Sequence, residues 1–133
     1  MAFKLTGVTN IDMTPIPFSR ELAGEEVVLS LLPLTPAADR GCRDRAKVRA
    51  DTDGFMIVSD MDKLTRELAV EIIDTWTVVN EHGKTAKIST TVLGWFMDYS
   101  PETMLFIRDA INHSRELYQE RRDALDEEDS EGN

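Results

Sequence analysis

Two histidines and one cysteine supply the imidazole and thiol groups of this chain. His82 lies in a polar turn that contains a glycine, His113 lies in a predicted helix, and Cys42 has no ligand partner nearby in the sequence. Metal sites and nucleophilic sites are recognised by spacings such as CxxC, HExxH or GxSxG, none of which occurs here. We therefore interpret all three as ordinary residues and predict no metal site, no cofactor and no catalytic residue.

The stretch RADTDGFMIVSD at 49–60 comes closest to a metal-binding motif. Aligned with an EF-hand loop, it places Asp51 and Asp53 at the third and fifth ligand positions. The first position, however, is Arg49, a cation where a carboxylate ligand belongs, and the twelfth is Asp60 instead of the usual Glu. A turn that ends the preceding helix accounts for the same residues, and we favour that interpretation over a calcium site.

Adjacent carboxylates occur at 25–26 and 127–128, in a strand lead-in and in an acidic tail. General acid–base catalysis requires carboxylates that are held in a pocket with shifted pKa values. The sequence gives no indication of such a pocket around either pair, so we do not expect an enzyme.

The elements that would position any site follow from apolar periodicity and helix-capping residues. They predict an α+β fold that is mainly helical, with four or so helices and a small N-terminal β element. EEVVLSLLPL at 25–34 favours a strand largely buried on both faces, and the 11–24 segment, with two prolines, is interpreted as irregular or β-like. Thr35 and Pro36 predict the start of a helix that reaches about Arg49.

The clearest helical pattern is SDMDKLTRELAVEIIDTW at 59–76, in which an apolar residue recurs every four positions and Trp76 is the last. Two short β-capable runs around the NEHG turn then predict a short hairpin at 77–88. Ser89 or Thr90 can cap a short helix, and a Ser-Pro pair at 100–101 predicts the start of the last one.

Length and charge bound the organisation of the chain. Its 133 residues are the size of one domain, and its net charge is −10. The last eleven residues carry six carboxylates and no cation, and they offer little to bury. We expect one globular domain over 1–122 and a disordered acidic tail over 123–133. An acidic total with one short basic stretch argues against nucleic acid as a partner.

Composition also predicts the compartment. No apolar run approaches the roughly 18 residues that span a bilayer, and MAFKLTG at the N-terminus lacks the features of a signal peptide. A single cysteine cannot form an internal disulfide, which suits a reducing compartment. We expect a soluble intracellular protein with no membrane partner.

Two stretches are candidates for binding a protein partner. The basic RGCRDRAKVR at 40–49 is either a solvated helix face that balances the acidic segments or a patch for an acidic partner or the chain's own tail. Its candidate contact residues are Arg40, Arg43 and Lys47. GWFMDYSPETMLF at 94–106 is either core or a partner surface, because its large apolar residues exceed what one inward stripe can hide. They are Trp95, Phe96, Met97, Tyr99, Met104 and Phe106.

The order of these parts resembles that of the tail assembly chaperones of long-tailed bacteriophages and prophages. The resemblance rests on the order and composition of segments over about residues 25–128, and not on one sharp motif. The segments are LLPLTPAADR at 31–40, ELAVEIIDTW at 67–76, NEHGKT at 80–85, STTVLGWFMDYSPETM at 89–104 and IRDAINHSREL at 107–117.

The resemblance implies a protein that binds the long, mostly helical tape-measure protein in the host cytoplasm and keeps it soluble while the tail tube assembles. The tail tube protein is a second implied partner, because many family members gain a C-terminal domain that recruits tube subunits. Trp76 would then anchor the end of its helix against the terminal helices. The alternative is a small structural component of the virion, associated with the head–tail junction or the baseplate, or a non-enzymatic cytoplasmic adaptor.

Overall fold

The computed structural model of the chain describes residues 11–49 and 57–131. Its elements within these ranges are β1 (Ile16–Leu22), β2 (Glu25–Leu31), α1 (Pro36–Arg45), β3 (Lys47–Arg49), β4 (Ile57–Ser59), α2 (Met61–Ile72), β5 (Ile73–Trp76), α3 (Thr90–Asp98) and α4 (Pro101–Glu131). The predicted fold class, α+β and mainly helical, is confirmed.

A three-stranded antiparallel sheet forms the β layer, in the order β1-β2-β5. The predicted strand at 25–34 is its central strand, and Leu29 and Leu31 are fully buried. Of the two interpretations of 11–24, irregular or β-like, the β-like one holds over Ile16–Leu22, which pairs with β2 along its whole length. Pro17 is compatible with this pairing since β1 is an edge strand, where a missing N–H can face away from the ladder.

A two-residue turn joins β1 to β2. Ala23 and Gly24 both have positive φ, 53° and 81°, and Leu22 pairs with Glu25 across them. Positive φ at both central positions is the geometry that matches the right-handed twist of a hairpin, and glycine adopts it readily. Alanine does not, so Ala23 carries local backbone strain.

Trp76 ends a strand and not a helix, which corrects the prediction of one helix over 59–76. Helix α2 ends at Ile72, and the chain turns into β5, whose Ile73 and Trp76 pair with Leu31 and Leu29. The backbone N–H of Leu32 donates to the carbonyl of Ile72 at 2.8 Å. Strand pairing therefore overrides the four-residue apolar period, because the free edge of β2 offers backbone partners that a longer helix would leave unused.

Helix α1 begins as predicted, with the Thr35 side chain accepting a hydrogen bond from the N–H of Ala38. It ends at Arg45, earlier than the predicted Arg49, and residues 47–49 instead pair with 57–59 as the antiparallel strands β3 and β4. The centre of the calcium-like stretch, residues 50–56 with Asp51 and Asp53, lies outside the described residues.

The last two helices begin where their capping residues predict. Ser89 accepts from the N–H of Val92, and Ser100 and Thr103 exchange hydrogen bonds between side chain and backbone at the start of α4. The predicted disordered tail is not observed over 123–131, because α4 continues to Glu131. Extending a helix that is already formed costs far less than starting one, so a polar end can remain helical.

The core lies between the sheet and the helices. Its largest fully buried side chains include Phe106, Leu29, Leu31, Ile72, Leu93 and Ile107. Phe18 of β1 stacks on Phe106 of α4 with ring centroids 5.4 Å apart, and it also stacks on His113 at 5.1 Å. This aromatic contact holds α4 against the sheet. Among the described residues, no other element covers the outer face of α3.

Candidate partner-binding surface

The turn between β5 and α3 forms one wall of the candidate surface. The predicted hairpin at 77–88 is reduced to a single bridge, Val79 to Thr85, beside a turn in which the Asn80 side chain accepts from the N–H groups of His82 and Lys84. Such local side-chain bonds favour a tight turn over a regular strand. Val79 consequently projects from the turn and is 56% exposed.

The Trp76 side chain holds this turn in place through a hydrogen bond to the turn and a ring contact with α3. Its side chain is buried, its indole Nε1–H donates to the carbonyl of Ala86 at 2.8 Å, and its ring lies 5.5 Å from that of Phe96. The contact joins β5, the turn and α3 through one side chain. Trp76 was predicted to anchor the end of a helix against the terminal helices; it lies instead at the end of β5, and its ring contacts Phe96 of α3.

Helix α3 and its C-cap residue Tyr99 form the other wall, which exposes two aromatic side chains. Trp95 is 70% exposed and Tyr99 is 73% exposed, although both are large enough to contribute strongly to a core. Their spacing of four residues places them side by side on one face of the helix. Leu93 and Met97 lie on the opposite face and are buried.

The space between these walls is an open groove of about 620 Å³, here called the aromatic groove. Its apolar lining residues are Val78, Val79, Ala86, Val92, Trp95, Phe96 and Tyr99, and its polar ones are Asn80, Glu81 and Lys87. A mostly apolar concavity with a few polar groups at its rim is the usual form of a binding surface. Exposed apolar surface of this kind is uncommon without a partner.

The exposed surface continues beyond the groove at Tyr99. The same side chain borders a second depression of about 460 Å³ that also contains Ala23 and Leu105. Leu105 is 53% exposed and was not among the predicted contact residues. Together, the two depressions extend the apolar surface from the 77–88 turn to the β1–β2 turn.

The six predicted contact residues of 94–106 divide between surface and core. Trp95 and Tyr99 lie at the surface, and Phe96 and Met104 are partly buried against the core. Met97 and Phe106 are buried, so their prediction as partner-contacting residues is wrong for this fold. Val79 was not predicted as a contact, although a β-branched residue directly before a polar turn is a usable signal.

The predicted basic residues lie elsewhere, around α1. Arg40 is exposed, Arg43 pairs with Asp39 at 3.0 Å, and Lys47 pairs with Asp44 at 3.1 Å. These pairs between neighbours in sequence reduce the net positive charge that the stretch presents. The basic residues do not join the aromatic groove.

The thiol and imidazole groups are spread over the fold. Cys42 is buried, and burial raises the pKa of its thiol, which keeps the group in its unreactive protonated form at neutral pH. His82 is exposed in the turn, and His113 is half-buried beside Phe18. No cluster of three potential metal ligands from His, Cys, Asp and Glu occurs within 11–49 and 57–131.

Comparison with protein-family models, with curated proteins and with solved structures finds no match for the chain. Across the part of the chain that the structure describes, no helix combines the length and the apolar character needed to cross a lipid bilayer. The geometry of the aromatic groove is therefore the main structural basis for a functional proposal.

Proposed function

We propose that the chain is a phage tail assembly chaperone that binds the tape-measure protein and keeps it soluble during tail tube assembly in the host cytoplasm. The observation that supports this proposal is the exposure of Trp95 and Tyr99 over the aromatic groove. Large aromatic side chains dominate the binding energy of protein interfaces, and contiguous exposed apolar surface often marks an interaction site.

The shape of the groove suits a helical client. Trp95 on α3 and its C-cap residue Tyr99 lie one turn apart, and Val79 lines the same groove from the turn. An amphipathic helix laid into such a groove would contact it through apolar residues spaced three, four and seven apart. A long, mostly helical tape-measure protein would offer many segments of that kind.

The charge of the chain suits the proposed role of keeping the bound tape-measure protein soluble. A net charge of −10 keeps a protein and its complexes apart through mutual repulsion. Because the groove is mostly apolar, client binding and charge repulsion use different parts of the surface. A complex could therefore stay soluble while the client's apolar segments are covered.

Co-expression with the tape-measure protein encoded in the same genome tests the proposal. We expect the tape-measure protein to be soluble and to co-purify when the wild-type chain is present. A Trp95→Ala/Tyr99→Ala chain should lose most of both effects. Met61→Ala is a matched control, because Met61 is 65% exposed but lies in a different groove.

Two results would contradict the proposal. One is a tape-measure protein whose solubility does not depend on the wild-type chain. The other is a double variant that folds and solubilises the tape-measure protein as well as the wild type does. Finding the chain in purified particles would instead favour a structural component of the virion.

A further inference from the structure

The outer edge of β1 carries backbone groups that the sheet does not use. In the order β1-β2-β5, β1 has β2 on one side and, among the residues that the structure describes, no strand on the other. On β2, Val28 directs its backbone groups toward β5: its N–H donates to the Thr77 hydroxyl at 3.0 Å, and its carbonyl accepts from the Thr77 N–H at 3.1 Å. Ser19 lies opposite Val28, so the backbone groups of Ser19 point the other way, to the open edge.

The spacing of these groups matches an extended peptide backbone. Because the direction alternates along a strand, the N–H and carbonyl groups of Ser19 and of Glu21 all point outward. They recur every two residues, at about 6.8 Å, which is the repeat of the groups that a second strand presents. A helical partner uses its backbone groups within itself and cannot bond to this row. The edge therefore selects a partner in an extended conformation.

An apolar depression lies along the inner side of this edge. Its space of about 460 Å³ is bordered by Leu22 of β1 and by Tyr99 and Leu105. Tyr99 and Leu105 are 73% and 53% exposed. A strand added to β1 would direct every second side chain to the face of Arg20 and Leu22, and therefore into this depression. Apolar side chains at those positions would cover Tyr99 and Leu105.

Arg20 borders the same depression but does not make it basic. Its guanidinium pairs with Asp109 at 2.9 Å and lies 5.4 Å from the ring centroid of Phe106, so it is directed toward α4. The other charged residues that line the depression are Glu21 and Glu102, and both are exposed. The surroundings of the edge are therefore acidic on its inner side.

The outer face of the same edge is acidic as well. Glu21 on β1 lies directly opposite Glu26 on β2, and both side chains are exposed. Within the described ranges, neither carboxylate pairs with a cation. Like charges directly opposite each other destabilise a sheet, so the stability of the hairpin does not account for this pair. A cation on a neighbouring strand, beside Glu21, would relieve the repulsion.

We propose that the outer edge of β1 binds an extended segment of another protein in which apolar and basic residues alternate. The backbone of the segment pairs with Ser19 and Glu21, its apolar side chains enter the depression, and its basic side chains lie beside Glu21 and Glu26. A second copy of the chain does not fit, because it brings the same carboxylates and the same net charge of −10. This contact is independent of the proposed function, because it does not require a helical client in the aromatic groove.

Fluorescence anisotropy on the full chain tests this contact at about 0.15 M salt, with a labelled peptide of about nine residues that alternates valine and lysine. The control peptide has the same composition, with its valines and lysines in two blocks. We expect the alternating peptide to bind at least about tenfold more tightly, because only alternation separates the apolar face from the basic one. Amide hydrogen exchange should show that the N–H groups of Ser19 and Glu21 become protected when it binds.

Two variants separate backbone pairing from charge. Ser19→Pro removes an outward N–H and leaves the bonds between β1 and β2 intact, and it should weaken binding of the alternating peptide about tenfold. Glu21→Gln/Glu26→Gln should weaken it about fivefold. Glu120→Gln, which removes an exposed carboxylate from the C-terminal half of α4, is the matched control and should bind as the wild type does.

Three results would overturn the proposal. The first is an alternating peptide that binds the wild-type chain no more tightly than the block peptide, whether neither binds or both bind through net charge. The second is a folded Ser19→Pro chain that binds as the wild type does. The third is protection of the Ser19 and Glu21 N–H groups without peptide, which would show that another part of the chain or a second copy already pairs with the edge.

Discussion

The two ends of the 94–106 stretch place similar side chains in opposite environments. Phe106 on α4 is fully buried, stacked on Phe18, with the Arg20 guanidinium 5.4 Å from its ring centroid. Trp95 on α3 is 70% exposed over the aromatic groove. The comparison shows that one aromatic-rich segment supplies both the core contact that holds α4 and the exposed apolar surface of the aromatic groove.

The largest effect on the free energy of unfolding should come from Phe106, at the buried end of the 94–106 stretch. Phe106→Ala removes a ring from a fully packed site, and we expect a loss of about 3–5 kcal/mol in the free energy of unfolding. Urea denaturation followed by circular dichroism measures it. A loss below about 1 kcal/mol would break the comparison, because Phe106 would then behave as a surface residue.

A buried polar contact on α4 should have the next largest effect. The Ser114 hydroxyl donates to the carbonyl of Leu32, and the Ser114 carbonyl accepts from the N–H of Leu34 at 3.1 Å, which ties the end of β2 to α4. Ser114→Ala leaves the Leu32 carbonyl without this donor and should lower unfolding free energy by about 1–3 kcal/mol. Ser19→Ala, at an exposed position, is a near-neutral control in the same urea titration.

A smaller, favourable change is expected at the β1–β2 turn, beside the exposed end of the surface. Ala23 has a φ of 53°, and asparagine tolerates that conformation better. Ala23→Asn should raise unfolding free energy by about 0.5–1 kcal/mol. Thermal denaturation measures this effect, and an unchanged or lower melting temperature would contradict the strain assigned to this turn.

The smallest effect on the free energy of unfolding should occur at Trp95, the exposed end of the 94–106 stretch. Trp95→Ala should change unfolding free energy by no more than about 0.5 kcal/mol, because most of the side chain is already in water. The same substitution should weaken client binding, and measuring both on one preparation sharpens the comparison. A clear loss of stability would show instead that Trp95 belongs to the core.

The sequence predicts part of the candidate site and misses the rest for a physical reason. It identifies Trp95 and Tyr99 because a helix of nine residues cannot bury every large side chain of that stretch. It does not separate them from Met97 and Phe106, because burial depends on which face of each helix meets the sheet. Ser19 and Glu21 were not singled out, since only the pairing of β1 with β2 leaves their backbone groups at an open edge.

The starts of the helices were determined by the sequence alone. Thr35, Asp60, Ser89 and Ser100 lie at those starts, and each one's side chain accepts a hydrogen bond from a backbone N–H three residues later. This is local chemistry, complete within one turn of the chain. The tertiary structure decided the backbone conformation at Trp76. The choice between helix and strand at 73–76 depends on pairing with β2, which lies more than forty residues earlier in the chain. It also decided which aromatic side chains face the core and which face solvent.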